Sequence, residues 1–238
     1  MAVDSALLDL AERKQRTFLR LYQWSPPCLS FGRHEPATRR YDRARIAALN
    51  LDCVRRPTGG RAVWHSRELT YAVAAPLRIF GRMRDAYHAI HAMLADALTR
   101  LGVHPILAGP APPVGPGAGA CFGSQVGGEV LVNGTKVIGS AQLRQGDAFL
   151  QHGSLLLEDD QFLVHDLTQA ASPSTYHPPA AHSLGRPVGF HEAALAVTQA
   201  AQSCWGEFLP DFELGALVPR LTDRHAPRFR SPEWTWER

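Results

Sequence analysis

The run NGTKVIGSAQLRQGDAFLQHGSLLL, Asn133 to Leu157, reads as a tight hairpin followed by a strand pair. Val130, Leu131 and Val132 lead into Asn133-Gly134, and Thr135 to Ile138 lead out. An Asn-Gly pair between β-rich runs marks a two-residue hairpin loop, because both central residues need a positive φ. Lys136 then lies on the returning strand, and period-2 alternation places it on one face with Ile138, Ser140 and Gln142. Gly139, Ser140 and Ala141 have almost no side-chain bulk, which suits close approach of another group to the backbone. The next run, Ala148 to Leu157, is apolar but is interrupted by Gln151, His152 and Gly153. A buried polar triplet needs partners, so it reads either as the lining of a ligand site or as a satisfied structural cluster.

Working outward, Met83 to Leu101 carries Tyr87, Ile90, Leu94, Ala97, Leu98 and Leu101 at the helical period, with Gly102 as its stop. His88 and His91 on this helix are three apart and no third ligand follows, so they read as surface or half-buried side chains. Gly109 to Ala120, GPAPPVGPGAGA, has four glycines and four prolines in twelve positions and reads as a cover or a linker. Upstream, Met1 to Arg16 reads as an amphipathic helix, and Phe18 to Trp24 and Cys28 to Phe31 as strands either side of Ser25-Pro26-Pro27. Thr38 is expected to cap a helix to Asn50, with Tyr41, Ile46 and Leu49 inside. Leu51 to Arg55, Ala62 to Trp64 and Leu69 to Ala74 are strand candidates. Downstream, Gln161 to Leu167 and Phe190 to Phe208 read as helices, the latter with Leu195, Val197, Trp205 and Phe208 in the core. Strands clustered in hairpins, each group followed by single helices, predict an α+β fold: one mixed, mostly antiparallel sheet with flanking helices on one side, in a single domain over residues 1–238.

Composition narrows the function classes. The net charge of +3 is mild and forms no basic stripe with aromatics, which argues against nucleic acid as a partner. No apolar run is long enough for a bilayer and no leader pattern is present, so no membrane partner and a cytoplasmic location are expected. Cys28, Cys53, Cys121 and Cys204 have no paired spacing, so neither a metal site nor a disulfide framework is indicated.

Two further stretches carry chemistry. Arg55 to Val63, RRPTGGRAV, frees the backbone at Gly59 and Gly60 beside Arg56 and Arg61, which reads either as an oxygen-binding loop or as a turn on a basic surface. Cys121 stands between the Gly/Pro-rich loop and the hairpin. A thiolate there would be a nucleophile if a nearby cation favours it, whereas most lone cysteines are inert small hydrophobes.

RRPTGGRAVWHSRELTYAV (Arg55 to Val73), the NGTKVIGSAQ stretch and the opening MAVDSALL together resemble the catalytic domain of the lipoate-protein ligase, octanoyltransferase and biotin ligase superfamily. The resemblance covers nearly the whole chain. It implies that Lys136 contacts the acyl carbonyl. By the same match Arg56, Thr58, Gly59, Gly60, Arg61, His65, Gly139, Ser140, Ala141, Gln142, His152 and Gly153 would line the acyl tunnel. ATP-dependent ligases have a pattern like RRxSGGGAVxHxxGN, where this chain has Arg61 and Glu68-Leu69-Thr70-Tyr71. TGGRAVxHxxELTY and Ala120-Cys121-Phe122 are instead similar to cysteine-dependent octanoyltransferases. The run after Cys121 departs from their acidic and aromatic continuation, and Arg228 to Trp236 is similar to the segment that leads into the accessory domain of many ligases. The resemblance implies catalysis by Cys121 and Lys136, an acyl carrier protein as donor, and a lipoyl-domain acceptor such as glycine cleavage H protein or an E2 subunit. No cofactor is implied, ATP and Mg belonging to the ligase alternative. A non-catalytic binder of acylated carriers is the third reading.

Overall fold

The computed structural model describes residues 1–109, 128–170, 181–208 and 219–237. The opening amphipathic run forms α1 (Ala2–Lys14), which buries Leu7, Leu8 and Ala11 and ends on Arg13 and Lys14. β1 (Phe18–Tyr22) and β2 (Cys28–Phe31) follow and enter different sheets. The helix expected from Thr38 to Asn50 is instead two pieces, α2 (Ala37–Arg40) and α3 (Arg43–Ala48). The chain breaks at Tyr41, which turns its ring inward and bridges Thr168, and Asp42 caps the second piece by accepting from the Arg45 N–H at 2.9 Å. Leu49, expected inside, is exposed because the second piece ends before it.

β3 (Asp52–Arg55), β4 (Val63–His65) and β5 (Glu68–Pro76) come next, then the short α4 (Leu77–Phe80) and the long α5 (Met83–Arg100). β6 (Pro105–Leu107), β7 (Val130–Val132) and β8 (Thr135–Lys136) form one small sheet. β9 (Ile138–Gln145) and β10 (Ala148–Leu156) form the strand pair, and β11 (Glu158–Asp159), α6 (Phe162–Asp166), β12 (Ala181–His182) and α7 (Phe190–Trp205) complete the labelled elements. Leu195 of α7 is exposed, contrary to expectation, while Val197 on the same helix is buried.

The four-stranded sheet runs β1-β5-β10-β9, antiparallel throughout. β5 is buried at every position, because ELTYAVAAP carries residues that suit the interior on both faces. Ala72, Ala74, Ala148 and Leu150 meet Leu7, Leu8 and Ala11 of α1 on one face. Tyr71, Val73 and Phe149 meet α5 and α7 on the other. Helices therefore cover both faces of this sheet, not one, since alternate positions of its two inner strands are apolar in both directions. A second sheet, β3-β2-β4, contributes the parallel pair β2–β3, so the fold is mixed and mostly antiparallel as expected, but divided into several sheets.

The Asn133-Gly134 turn has φ of 50° and 77°, as two-residue hairpin loops require. The returning strand is not continuous. Lys136 pairs with Leu131 in the small sheet, whereas Gly139 pairs with Ser154 in the large one. Val137 lies at the divide: its N–H donates to Val130 and its carbonyl accepts from Leu156. Lys136 and Ser140 thus belong to different sheets and do not share the single strand face that alternation predicted.

Candidate active site

A crevice opens where β9 and β10 meet the second sheet. Its walls come from the Arg56–Gly60 loop, Ser30, His65 and Thr70 on one side and Gly139 to Ala141 and His152 to Ser154 on the other. Two close approaches shape it. Gly153 pairs with both Tyr71 and Ser140 across the sheet, and a Cβ there would strike the Gly139 carbonyl, Ser140 Oγ at 2.8 Å and Tyr71 Cε1 at 2.9 Å. Gly32 likewise leaves no room for a side chain against the Gly60 carbonyl.

Three hydrogen-bond chains converge on this space. In the first, His152 donates from Nδ1 to Asp4 at 3.2 Å and accepts at Nε2 from Thr58 at 2.6 Å. Asp4 also holds Arg20 at 2.6 Å and Tyr22 at 3.1 Å. Burial by itself would raise the Asp4 carboxyl, but the positive charges around it and the His152 hydrogen bond hold it well below the usual carboxylate range. Burial pushes His152 down, so it stays neutral near pH 7. In the second, His65 donates from Nδ1 to Glu68 at 2.7 Å and accepts at Nε2 from Ser30 at 2.7 Å. In the third, His91 donates from Nδ1 to the Gly128 carbonyl at 2.6 Å and accepts at Nε2 from Ser140 at 2.8 Å. Ser140 accepts from Tyr71 at 2.6 Å, and Gln151 and Gln142 continue the chain to the Met83 carbonyl. Burial pushes His91 down to about 4, with the Lys136 charge adding to it, and pushes the Tyr71 phenol up to about 12.

Lys136 does not border the crevice. Its ammonium makes a buried 2.5 Å ion pair with Glu129, the neighbour of Gly128, which His91 holds. Arg55, fully buried, donates to the carbonyls of Gly32, Glu35 and Trp234, tying the C-terminal helix Pro232–Trp236 to β3. Arg56 donates to Ser30, Gly59 and Arg61. Both guanidiniums therefore brace the loop. Among the described cysteines, burial pushes the Cys28 thiol far up and the Cys53 thiol up to about 12, which keeps both protonated. Among the described residues no cluster of three His, Cys, Asp or Glu side chains could hold a metal ion, and no helix is long and apolar enough to cross a membrane.

Of the residues the sequence nominated, Arg56, Gly60, His65, Gly139, Ser140, Ala141, His152 and Gly153 border the crevice. Thr58 stands behind His152, and Arg61 contributes its carbonyl to Arg56. Gly59 faces open space, and Gln142 turns to the Met83 carbonyl. Cys121 lies outside the described residues. Asp4, Ser30, Glu68 and Ser154 were missed. Glu68 had a signal, a carboxylate three residues after a histidine at the start of an apolar strand. His91 is a correction: it is fully buried and bonded to Ser140, because the face of α5 that carries it packs on β9, which spacing along the helix does not disclose.

Octanoyltransferase LipM of Exiguobacterium sibiricum is 33% identical over 258 residues, covering 100% of this chain and 94% of the relative. Octanoyltransferase LipM of Kyrpidia tusciae is 32% identical, with 100% of this chain and 94% of the relative covered. Among solved structures, lipoate-protein ligase A bound with ATP superposes with a TM-score of 0.74 at 17% identity, covering 99% of this chain and 92% of that one. A putative lipoate protein ligase from T. acidophilum with bound lipoic acid reaches 0.75 at 17% identity, covering 100% and 92%; at such identity these two speak for the fold. The lipoyl protein ligase A/B catalytic domain model matches residues 1–191, and the chain belongs to that family.

Proposed function

We propose that the protein is an octanoyltransferase, moving an octanoyl group from acyl carrier protein to a lysine of a lipoyl-accepting protein through a thioester on Cys121. The observation that carries this reading is the likeness, over all of this chain, to proteins named octanoyltransferase. The Cys121 thiolate attacks the carrier thioester and releases the carrier thiol, and the acceptor amine then attacks the enzyme thioester, so one transfer is split into two. Lys136, held by Glu129, is the donor that meets the acyl oxyanion in both steps. The octanoyl chain takes the crevice, where each buried CH₂ contributes about 0.8 kcal/mol. A donor that arrives as a thioester is already activated, so ATP and Mg have no part. The buried Glu68 carboxylate and the bracing roles of Arg55 and Arg56 weigh against an adenylate in the same place. Acceptors of the glycine cleavage H protein or E2 type fit this reading.

The test is the nucleotide dependence of acceptor octanoylation. With octanoyl-carrier as donor, transfer to a lipoyl domain proceeds without ATP and is lost in Cys121→Ser. Transfer that needs ATP and free octanoate would instead establish the ligase reading, and binding without turnover the scaffold reading.

A further inference from the structure

Lys136 belongs to the small sheet while the crevice is walled by the large one, and the chain passes between them at Val137. One residue of backbone does not by itself fix how the two sheets sit. A group that sets the Lys136 ammonium relative to an acyl chain held against Gly139 to Ala141 has to cross the seam between them. His91 crosses it. It stands on α5, which packs against both β7 and β9, and its ring joins Ser140 on the crevice wall to the Gly128 carbonyl just before β7.

The direction of each hydrogen bond in this tie is forced. A carbonyl only accepts, so Nδ1 carries the ring proton; burial keeps the imidazole neutral near pH 7, so Nε2 accepts and the Ser140 hydroxyl donates to it. Ser140 in turn accepts from Tyr71, whose hydroxyl accepts from Gln151. The ring has little freedom: it is fully buried, and Tyr87 lies across it with centroids 4.0 Å apart. Its carbonyl partner is fixed as well. Gly128 has a φ of 86°, and a Cβ there would stand 2.7 Å from the His88 ring. The next residue is Glu129, whose carboxylate makes the buried 2.5 Å pair with Lys136. Burial is the main reason that the His91 ring resists a proton, and the Lys136 charge adds to it, so the two groups feel each other.

We propose that His91 is a positioning residue for acyl transfer: through the Gly128 carbonyl it sets Glu129, and with it the Lys136 ammonium, at a fixed reach from the crevice wall at Ser140. This rests on the reading above that Lys136 meets the acyl oxyanion. His91 touches no substrate. Its Nδ1–H counts for more than its Nε2, because Nδ1 bears on the segment that carries Glu129, whereas Ser140 keeps Tyr71 as a partner when Nε2 is lost. A misplacement of about 1 Å at a distance from the chemistry can cost on the order of 10²-fold in rate.

The experiment puts two amides in place of the imidazole. Asparagine carries an N–H where Nδ1 stands and glutamine an oxygen where Nε2 stands, so His91→Asn keeps the Gly128 bond and His91→Gln keeps the Ser140 bond. Octanoyl uptake from octanoyl-carrier by the full chain is followed by rapid quench and intact mass. His91→Gln is expected to slow it about 10–10²-fold, with the half-saturating carrier concentration unchanged within about twofold, and His91→Asn to stay within about threefold of wild type. In a Lys136→Met background, His91→Gln is expected to change the rate by less than about twofold, since the group it positions is gone. Equal loss in both backgrounds is what a merely structural histidine predicts and would overturn the proposal, as would a His91→Asn as slow as His91→Gln or a loss confined to half-saturation. Should neither variant fold, nitrogen NMR of the His91 ring decides: a protonated Nδ1 whose shift moves in Lys136→Met sustains the proposal, and a protonated Nε2 or an unmoved Nδ1 overturns it. Lys136→Met acylating at the wild-type rate would remove the oxyanion role on which the proposal rests, and a wild-type enzyme that takes up no octanoyl group would remove the transferase reading itself.

Discussion

His152 and His65 look into one crevice in matching company, a carboxylate on Nδ1 and a hydroxyl on Nε2, yet their wider surroundings differ. Around His152 the charge is settled before any substrate arrives: Arg20 neutralises Asp4, burial keeps the imidazole neutral, and the cluster pins α1 to β1 and β10. Around His65 the carboxylate has an oxygen with no donor among the described residues, and the imidazole lies against an aromatic face. The same three groups surround a compensated carboxylate at one station and a half-satisfied one, among the described residues, at the other.

The largest effect should come from breaking the compensated station. Asp4→Asn leaves Arg20 facing a neutral partner beside a buried imidazole, and stability should fall by about 3–5 kcal/mol in urea unfolding. Lys136→Met comes next and extends the comparison to the other buried carboxylate: transfer should drop about 10²–10³-fold through loss of the oxyanion donor, measured as acceptor octanoylation. Acid should then weaken the fold in two stages. His91, lowered from 6.5 to about 4 by burial, binds protons more readily unfolded, so its contribution is full above about pH 6.5 and is lost as the pH falls toward 4, on the order of 3 kcal/mol. His152, also lowered, acts in the same sense, and Asp4, whose carboxyl is depressed, loses its contribution only as the pH falls below the usual aspartate range. His91→Gln should flatten the first stage in urea titrations between pH 7 and 4. Gly153→Ala should cost about 1–3 kcal/mol and narrow the crevice, since the added methyl meets the backbone of β9. The smallest effect on stability should be that of Glu68→Gln, about 1 kcal/mol or less. Equal destabilisation by Asp4→Asn and Glu68→Gln would erase the distinction between the two stations.

Much of this was legible in the chain because it rests on local rules. Asn133-Gly134 specifies its turn through backbone sterics, and the helical period of α5 places Ile90, Leu94 and Leu98 in the core. The small residues Gly139 to Ala141 border the crevice. What escaped depends on partners distant in sequence. Arg55 reads as a surface cation until the Trp234 carbonyl, 179 residues on, is seen to accept from it. Asp4 looks like an ordinary first-turn acid on α1, and its use follows from His152, 148 residues away. Lys136 and Ser140 look like one strand face because nothing local marks Val137 as the point where the hairpin leaves one sheet for another.

The reading rests most directly on whether the acyl group passes through the enzyme itself. Intact mass of the full chain after incubation with octanoyl-carrier in the absence of nucleotide is the measurement. The expected result is one added octanoyl group on the wild type, none on Cys121→Ser, and loss of the adduct when a lipoyl domain is supplied. An unmodified wild-type chain, with octanoylated acceptor appearing only when ATP and free octanoate are present, would contradict it.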